Sequence, residues 1–267
     1  MEVKRIISAA LAISFLIILL WVGGWLFNMS LLLISLAALR ELYHAFSKIG
    51  FSPLRAAGFI AVTVFFIQHF LFKGIYDFIY IFIVIILLLT VQLFRRSYKV
   101  NDIAITILGF FYPGILLVFA SYMREHAYVF PNYLLILTLV ATYSTDTYAY
   151  FIGRALGKHK LCPTISPNKT KEGSIGGLAG SVVTVVMLGI VLNWVYNIKV
   201  DIIHFVAIGI LGGFFSQFGD LSASSIKRQC NIKDFGNVLP GHGGILDRID
   251  SLLFVLPVIY TYTQLFI

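Results

Sequence analysis

Eight charged side chains, four acidic and four basic, crowd into Asp220–Asp250, the run DLSASSIKRQCNIKDFGNVLPGHGGILDRID, between two stretches apolar enough to span a bilayer. A charge left in hydrocarbon costs roughly 2.5–3.5 kcal/mol even on a lenient insertion scale, so such groups face water, a metal or a polar substrate. If a helix continues through Asp220, then Ser224 and Lys227 share its face, with Arg228 adjacent. Asp247 and Asp250 are neighbours at the start of the following helix. Carboxylates from two helices could therefore converge. Clustered carboxylates with a single histidine, His242, suit a hard cation, Mg²⁺ before Zn²⁺. Magnesium takes one or two protein carboxylates and leaves its other positions to water and substrate phosphates, so Asp220 with Asp247 would suffice. Lys227, Arg228, Lys233 and Arg248 could hold phosphate oxygens that the metal does not reach, stabilising charge in phosphoryl or nucleotidyl transfer. The bland alternative is that acids and bases simply pair, since they balance.

Two further features join this cluster. Asp146 lies well inside an apolar run, ATYSTDTYAYFIGR, where a carboxylate is a candidate functional group by default; the structural alternative is an ion pair, with Arg154 or a lysine of the next loop. The loop over residues 153–177, GRALGKHKLCPTISPNKTKEGSIGG, sets Arg154, Lys158, Lys160, Lys169 and Lys171 among small and hydroxyl residues. Lysines suit phosphate, and Ser166, Asn168 and Thr170 add neutral donors. Glycines at 236, 241, 243 and 244 around Pro240 and His242 permit close backbone approach to an anion, a weak signal alone because tight turns also use glycine. His242 reads as an orienting or hydrogen-bonding residue rather than a zinc ligand.

The elements that must position these residues are membrane helices. The chain has 267 residues, 59% of them hydrophobic, and a mean hydropathy of +0.92, too apolar for a soluble domain. We expect an all-α, polytopic integral membrane protein with about nine transmembrane helices, near 6–22, 25–39, 54–72, 75–94, 103–122, 131–153, 175–196, 202–219 and 251–267. The first is read as an uncleaved anchor, because no cleavage site follows it. The span at 25–39 is short before Arg40, and the amphipathic tail Glu41 to Phe46 could extend it. Pro113 should kink the fifth. His69 and Gln68 read as a helix-packing hydrogen bond. A cytoplasmic N-terminus and an outside C-terminus put 17 of the 20 Lys and Arg on one side, leaving Lys73, Arg124 and Lys199 opposite. The net charge of +8 is mostly this bias, and nucleic-acid binding is not expected; the remainder could attract a polyanion and anionic lipid headgroups. Cys162 and Cys230 fall on the cytoplasmic side, where thiols stay reduced. Residues 1–130 read as a scaffold of membrane helices and 131–267 as a catalytic membrane domain with cytoplasmic loops 154–174 and 220–250. Glycine spacings at 173–177 and 209–213 allow close helix packing, within one chain or between two, so a homodimer is possible.

At these residues the chain resembles the phosphatidate cytidylyltransferases, or CDP-diacylglycerol synthases. Their signature is S-x-aliphatic-K-R, four residues, K-D, a small residue, then L-P-x-H-G-G-aliphatic-x-D-R-aliphatic-D. It is met without a gap by Ser224, Ile226, Lys227, Arg228, Lys233, Asp234, Gly236, Leu239, Pro240, His242, Gly243, Gly244, Ile245, Asp247, Arg248, Ile249 and Asp250. The Asp146 region and the runs GKHKL at 157–161 and SPNKT at 166–170 extend the likeness to about residues 140–255. Tyr148 departs from it, standing where relatives often have a small residue, and Lys171 occupies a variable position. The resemblance implies that CTP and phosphatidic acid form CDP-diacylglycerol and pyrophosphate with Mg²⁺ at the cytoplasmic face of the inner membrane. Asp220, Asp247 and Asp250 would serve the metal. Lys227, Arg228, Lys233 and Arg248 would clamp anions, with Ser166, Asn168, Lys169 and Thr170 approaching from the other loop. Asp146 would orient Lys169 or bind a second cation. A CTP-dependent membrane lipid kinase and a transporter are the alternatives.

Overall fold

The computed structural model describes residues 14, 17–94, 99–125, 132–238 and 243–267. Helices α1 (Gly24–Ser47), α2 (Arg55–Phe72), α3 (Asp77–Phe94) and α4 (Val100–Gly109) come first. A π-helical turn, Phe110–Ile115, then leads toward α5 (Val118–Glu125). Next are α6 (Tyr133–Leu156), the strands β1 (Lys160–Cys162) and β2 (Ser166–Thr170), and α7 (Lys171–Tyr196), α8 (Ile202–Gln229) and α9 (Leu246–Phe266). The expectation of an all-α polytopic membrane protein is met in its coarse form. Among the described residues six helical stretches are long and apolar enough to cross a bilayer: α1, α2, Val100–Glu125, α7, α8 and α9. Helix α3 is also apolar over Asp77–Val91. Helix α6 lies outside this set although it has 24 residues, in keeping with its polar run from Tyr143 to Tyr150. Most of the segment 6–22 read as the first span lies outside the described residues. The one sheet described is the antiparallel hairpin β1–β2, which pairs Lys160 with Thr170 and Cys162 with Ser166.

The described residues divide into two compact units. One comprises the chain up to Val118 together with Gln229–Arg248. Its centre is Tyr43 of α1, fully buried, whose hydroxyl donates to the Thr106 carbonyl at 2.9 Å. Gly58 of α2 and Gly109 of α4 lie against the Tyr43 ring, where any side chain would overlap it. Helix α1 does continue through the amphipathic tail to Ser47, because Glu41, Leu42 and Tyr43 are buried rather than interfacial. The buried His69 places Nδ1 2.8 Å from Asp77, and Gln68 Nε2 donates to the same carboxylate at 2.5 Å. This is the helix-packing role read for both residues. Pro113 removes a helical donor, and the π turn Phe110–Ile115 forms around it.

The other unit comprises Phe119–Arg228 and Ile249–Ile267. Here glycines bring helices into backbone contact. A Cβ on Gly177 of α7 would sit 2.8 Å from the Thr145 carbonyl oxygen of α6, and one on Gly209 of α8 2.6 Å from the Val182 Cα of α7. Gly219 meets α9 in the same way, 2.6 Å from the Asp250 carbonyl oxygen. Ser181 Oγ lies 3.1 Å from both the Ala141 and Gly209 carbonyl oxygens, a donor shared between α6 and α8 in an environment without competing water. Both glycine spacings read from the sequence thus serve contacts within the chain.

Gly209→Leu should lower stability by on the order of 3 kcal/mol, because backbone rather than a flexible side chain fills the space it would need. Thermal unfolding of detergent-purified protein checks this, with the exposed Ile190→Leu as the silent control.

Candidate active site

The site grows from the end of α6 and the hairpin that follows it. Thr170 closes β2 and caps α7, its hydroxyl accepting the Gly173 N–H at 3.1 Å. Gly153 and Gly173 lie close together, a Cβ on Gly173 falling 3.0 Å from the Gly153 Cα, so the last turn of α6 and the first of α7 press against each other. Glu172 holds the preceding loop: it accepts the Lys158 N–H at 3.1 Å and the His159 N–H at 3.2 Å, and lies 2.6 Å from His159 Nδ1. A lysine-bearing hairpin is thereby fixed at a helix N-terminus, which favours anions.

Against it lies α8, which runs on to Gln229, so Asp220, Ser224 and Lys227 do share a face. Ser224 Oγ donates to Asp220 Oδ1 at 3.2 Å, and Lys169 of β2 forms an ion pair with Asp220 Oδ2. A cavity of about 420 Å³ opens here, lined by Asp146, Asn168, Lys169, Thr170 and Asp220 among others. At its back Ser174 donates to Gln217, whose amide returns a bond to the Ser174 carbonyl at 3.2 Å. Asp250 of α9 is 7% exposed, feels the charges of Asp220, Lys227 and Asp146, and accepts its neighbour Ser251 N–H at 2.7 Å. Lys227 is itself buried, so its charge stands beside carboxylates rather than in water. Arg228 donates from Nε to the Ile165 carbonyl at 3.1 Å, tying the end of α8 to the hairpin turn where half-buried Ser166 begins β2. Tyr148, the departure noted in the sequence, packs on Gly180 and does not line the cavity; Tyr150 does.

Asp247, Lys233 and Arg248 belong to the other unit. Asp247 Oδ2 accepts the N–H groups of Phe235 at 2.8 Å and Gly244 at 3.0 Å, closing a loop in which Gly243 adopts φ +83°. Lys233 and Arg248 are exposed. His242 lies outside the described residues. Among those residues no group of three or more His, Cys, Asp or Glu is placed to hold a metal ion unaided.

Three supports escaped sequence reasoning. Glu172 and the Ser174–Gln217 pair gave no signal, because a polar residue after a lysine-rich loop looks solvated. Glu41 did give one: an acid next to Arg40 in an apolar helix falls under the rule that singled out Asp146. Its two carboxylate oxygens accept the Ile245 N–H at 3.0 Å and the Leu246 N–H at 2.8 Å.

A profile of the Cytidylyltransferase family matches residues 3–266. The phosphatidate cytidylyltransferase of Bacillus subtilis (strain 168) is 38% identical over 186 residues, 70% of this chain and 67% of that protein. The protein of that name from Staphylococcus epidermidis is 34% identical with 96% of each chain aligned. That from Synechocystis sp. is 30% identical over 99% of this chain and 97% of its own.

Thr170→Val keeps the shape but removes the cap, at a cost of about 1 kcal/mol. Amide hydrogen exchange over residues 171–174 should accelerate about fivefold, while α8 is unaffected.

Proposed function

The chain belongs to the Cytidylyltransferase family, and from that premise we propose that it transfers CMP from CTP to phosphatidic acid, giving CDP-diacylglycerol and pyrophosphate. The observation that supports this most is the cavity in which Lys169, Asn168 and Thr170 of the hairpin face Asp220 and Asp146 of two helices. Such a site offers donors for phosphate oxygens beside carboxylates for a hard cation, at the ends of apolar helices where a lipid headgroup sits.

In the reaction, a phosphate oxygen of phosphatidate attacks the α-phosphorus of CTP in line. The bond from that phosphorus to the bridging oxygen breaks, and pyrophosphate leaves with the electron pair. No protein nucleophile is required. The catalysis left to the protein is alignment and charge stabilisation. Lys169 gives up its pairing with Asp220 to bind a phosphate of the nucleotide, while Asn168, Thr170 and Ser166 donate neutral hydrogen bonds. Lys227, Arg228, Lys233 and Arg248 are the proposed anion clamps, and Ser224 orients Asp220.

The donor set fits Mg²⁺, since the carboxylates of Asp220 and Asp250 are oxygen ligands and magnesium needs few from protein. Asp220, Asp247 and Asp250 are its proposed ligands. When bound, the ion neutralises charge on the triphosphate. Asp146 orients Lys169 or serves a second cation, and His242 orients substrate. The proposed setting is a bacterial inner membrane crossed about nine times, with the N-terminus and the site facing the cytoplasm, residues 1–130 as scaffold and 131–267 as the catalytic part.

Purified Asp220→Asn and Asp247→Asn proteins should remain folded yet lose Mg²⁺-dependent CDP-lipid formation by at least about 100-fold. Lys73→Ala should stay near wild type. Reconstituted wild-type protein given labelled CTP, phosphatidic acid and Mg²⁺ should release pyrophosphate. Release of CDP would instead identify a lipid kinase, and near-normal turnover by either asparagine variant would remove that residue from the metal.

A further inference from the structure

Glu41 is an acid near the C-terminal end of a hydrophobic helix, 6% exposed, and the chemistry above assigns it nothing. Its surroundings are unusual for a buried carboxylate. No lysine or arginine is paired with it in a salt bridge among the described residues. Instead Oε1 and Oε2 each accept a backbone N–H, from Ile245 and Leu246, at the point where α9 begins. Its carboxyl group is also wedged between two glycines: a Cβ on Gly236 would lie 2.8 Å from Glu41 Cδ, and one on Gly244 2.6 Å from it. A side chain at either position would displace the carboxylate.

The contacts form a staple. The first N–H groups of a helix have no intrahelical acceptor, and in a buried setting leaving them bare is costly. Glu41 satisfies two of them from 204 and 205 residues away, and its negative charge complements the positive end of α9. It also grips both flanks of the segment between Gly236 and Gly244. Asp247, one residue beyond Leu246, completes the arrangement by taking the Phe235 and Gly244 N–H groups. Four consecutive or facing amides are thus held by two carboxylates, and Asp247 shares one turn with the amides that Glu41 holds.

We infer that Glu41 is a positioning residue for the cytidylyltransfer reaction: reaching across from α1, it sets the first turn of α9 and thereby aims Asp247 and Arg248. This rests on the functional reading above, in which those two residues serve the site.

Glu41→Gln tests it, because the side chain keeps its size while one acceptor oxygen becomes an NH₂ group facing an N–H donor. In purified full-length protein, exchange of the Ile245 and Leu246 amides should speed up about fivefold to thirtyfold, the loss expected for a removed cap, with the amides of α1 unchanged. The kcat for CDP-lipid formation should fall about tenfold while the KM for CTP stays within about twofold. Gly244→Ala, which leaves Glu41 in the chain but intrudes on it, should reproduce the exchange pattern. Unchanged exchange at 245 and 246 in Glu41→Gln overturns the inference, as does a normal kcat per folded molecule. Should neither variant fold, the unsubstituted protein decides: Ile245 and Leu246 amides must be strongly protected, and exchange as fast as at the exposed Thr164 overturns the proposal. A wild-type protein that makes no CDP-lipid would sink the functional reading while leaving the exchange result standing.

Discussion

A buried carboxylate requires a partner fixed in space, and the organisation of the polar residues here follows from that requirement. Water is scarce within a helical bundle, so each acid is held by whatever donor the fold can bring to it. Asp220 has Lys169 and Ser224, and Asp250 has Ser251 and the charge of Lys227. Glu41 and Asp247 use backbone amides, and so does Asp102, which accepts the Ser52 N–H at 2.7 Å and the Lys99 N–H at 3.0 Å. Charge pairs and amide caps differ in what they allow. An ion pair between half-exposed groups can open and exchange for a phosphate or a cation, whereas a carboxylate bonded to two backbone N–H groups shapes the chain around it.

That difference separates an exchangeable contact from fixed ones. Lys169 and Asp220 neutralise each other at the cavity, and in the proposed reaction a polyanion entering it would replace that pairing by other charge contacts without stranding either group. The hairpin that carries Lys169 is meanwhile anchored by Thr170, Glu172 and Arg228, none of which must move for that exchange. Glycine makes the anchoring compact. Contacts such as Gly177 on the Thr145 carbonyl and Gly219 on the Asp250 carbonyl draw helix axes close, which is the main source of cohesion between helices where lipid removes the hydrophobic incentive to associate.

Much of this is legible in residue order. The membrane class, the helical continuation through Asp220, the extension of α1 past Arg40, and the packing roles of His69, Gln68 and the glycines all follow from periodicity and from the cost of burying charge. Legibility fails where the determining partner is distant in sequence. The hairpin β1–β2 reads only as a loop, because strands of three and five residues leave no periodic trace. The cost of burying an acid marks Glu41, but nothing local reveals its partners, amides some 200 residues away.

What residue order determined alone is therefore the chemical inventory and its approximate depth: which segments seek lipid, which charges cannot stay there, and the one gapless motif that gathers lysine, arginine and aspartate. Those follow from transfer free energies, which depend on each side chain and its near neighbours. Only the tertiary structure decided which oxygen meets which donor. It paired Lys169 with Asp220, gave the helix start at Leu246 to Glu41, and turned Tyr148 onto Gly180 and away from the cavity. Directional bonds at about 3 Å depend on helix positions set by packing across the chain, and no local stretch contains that information.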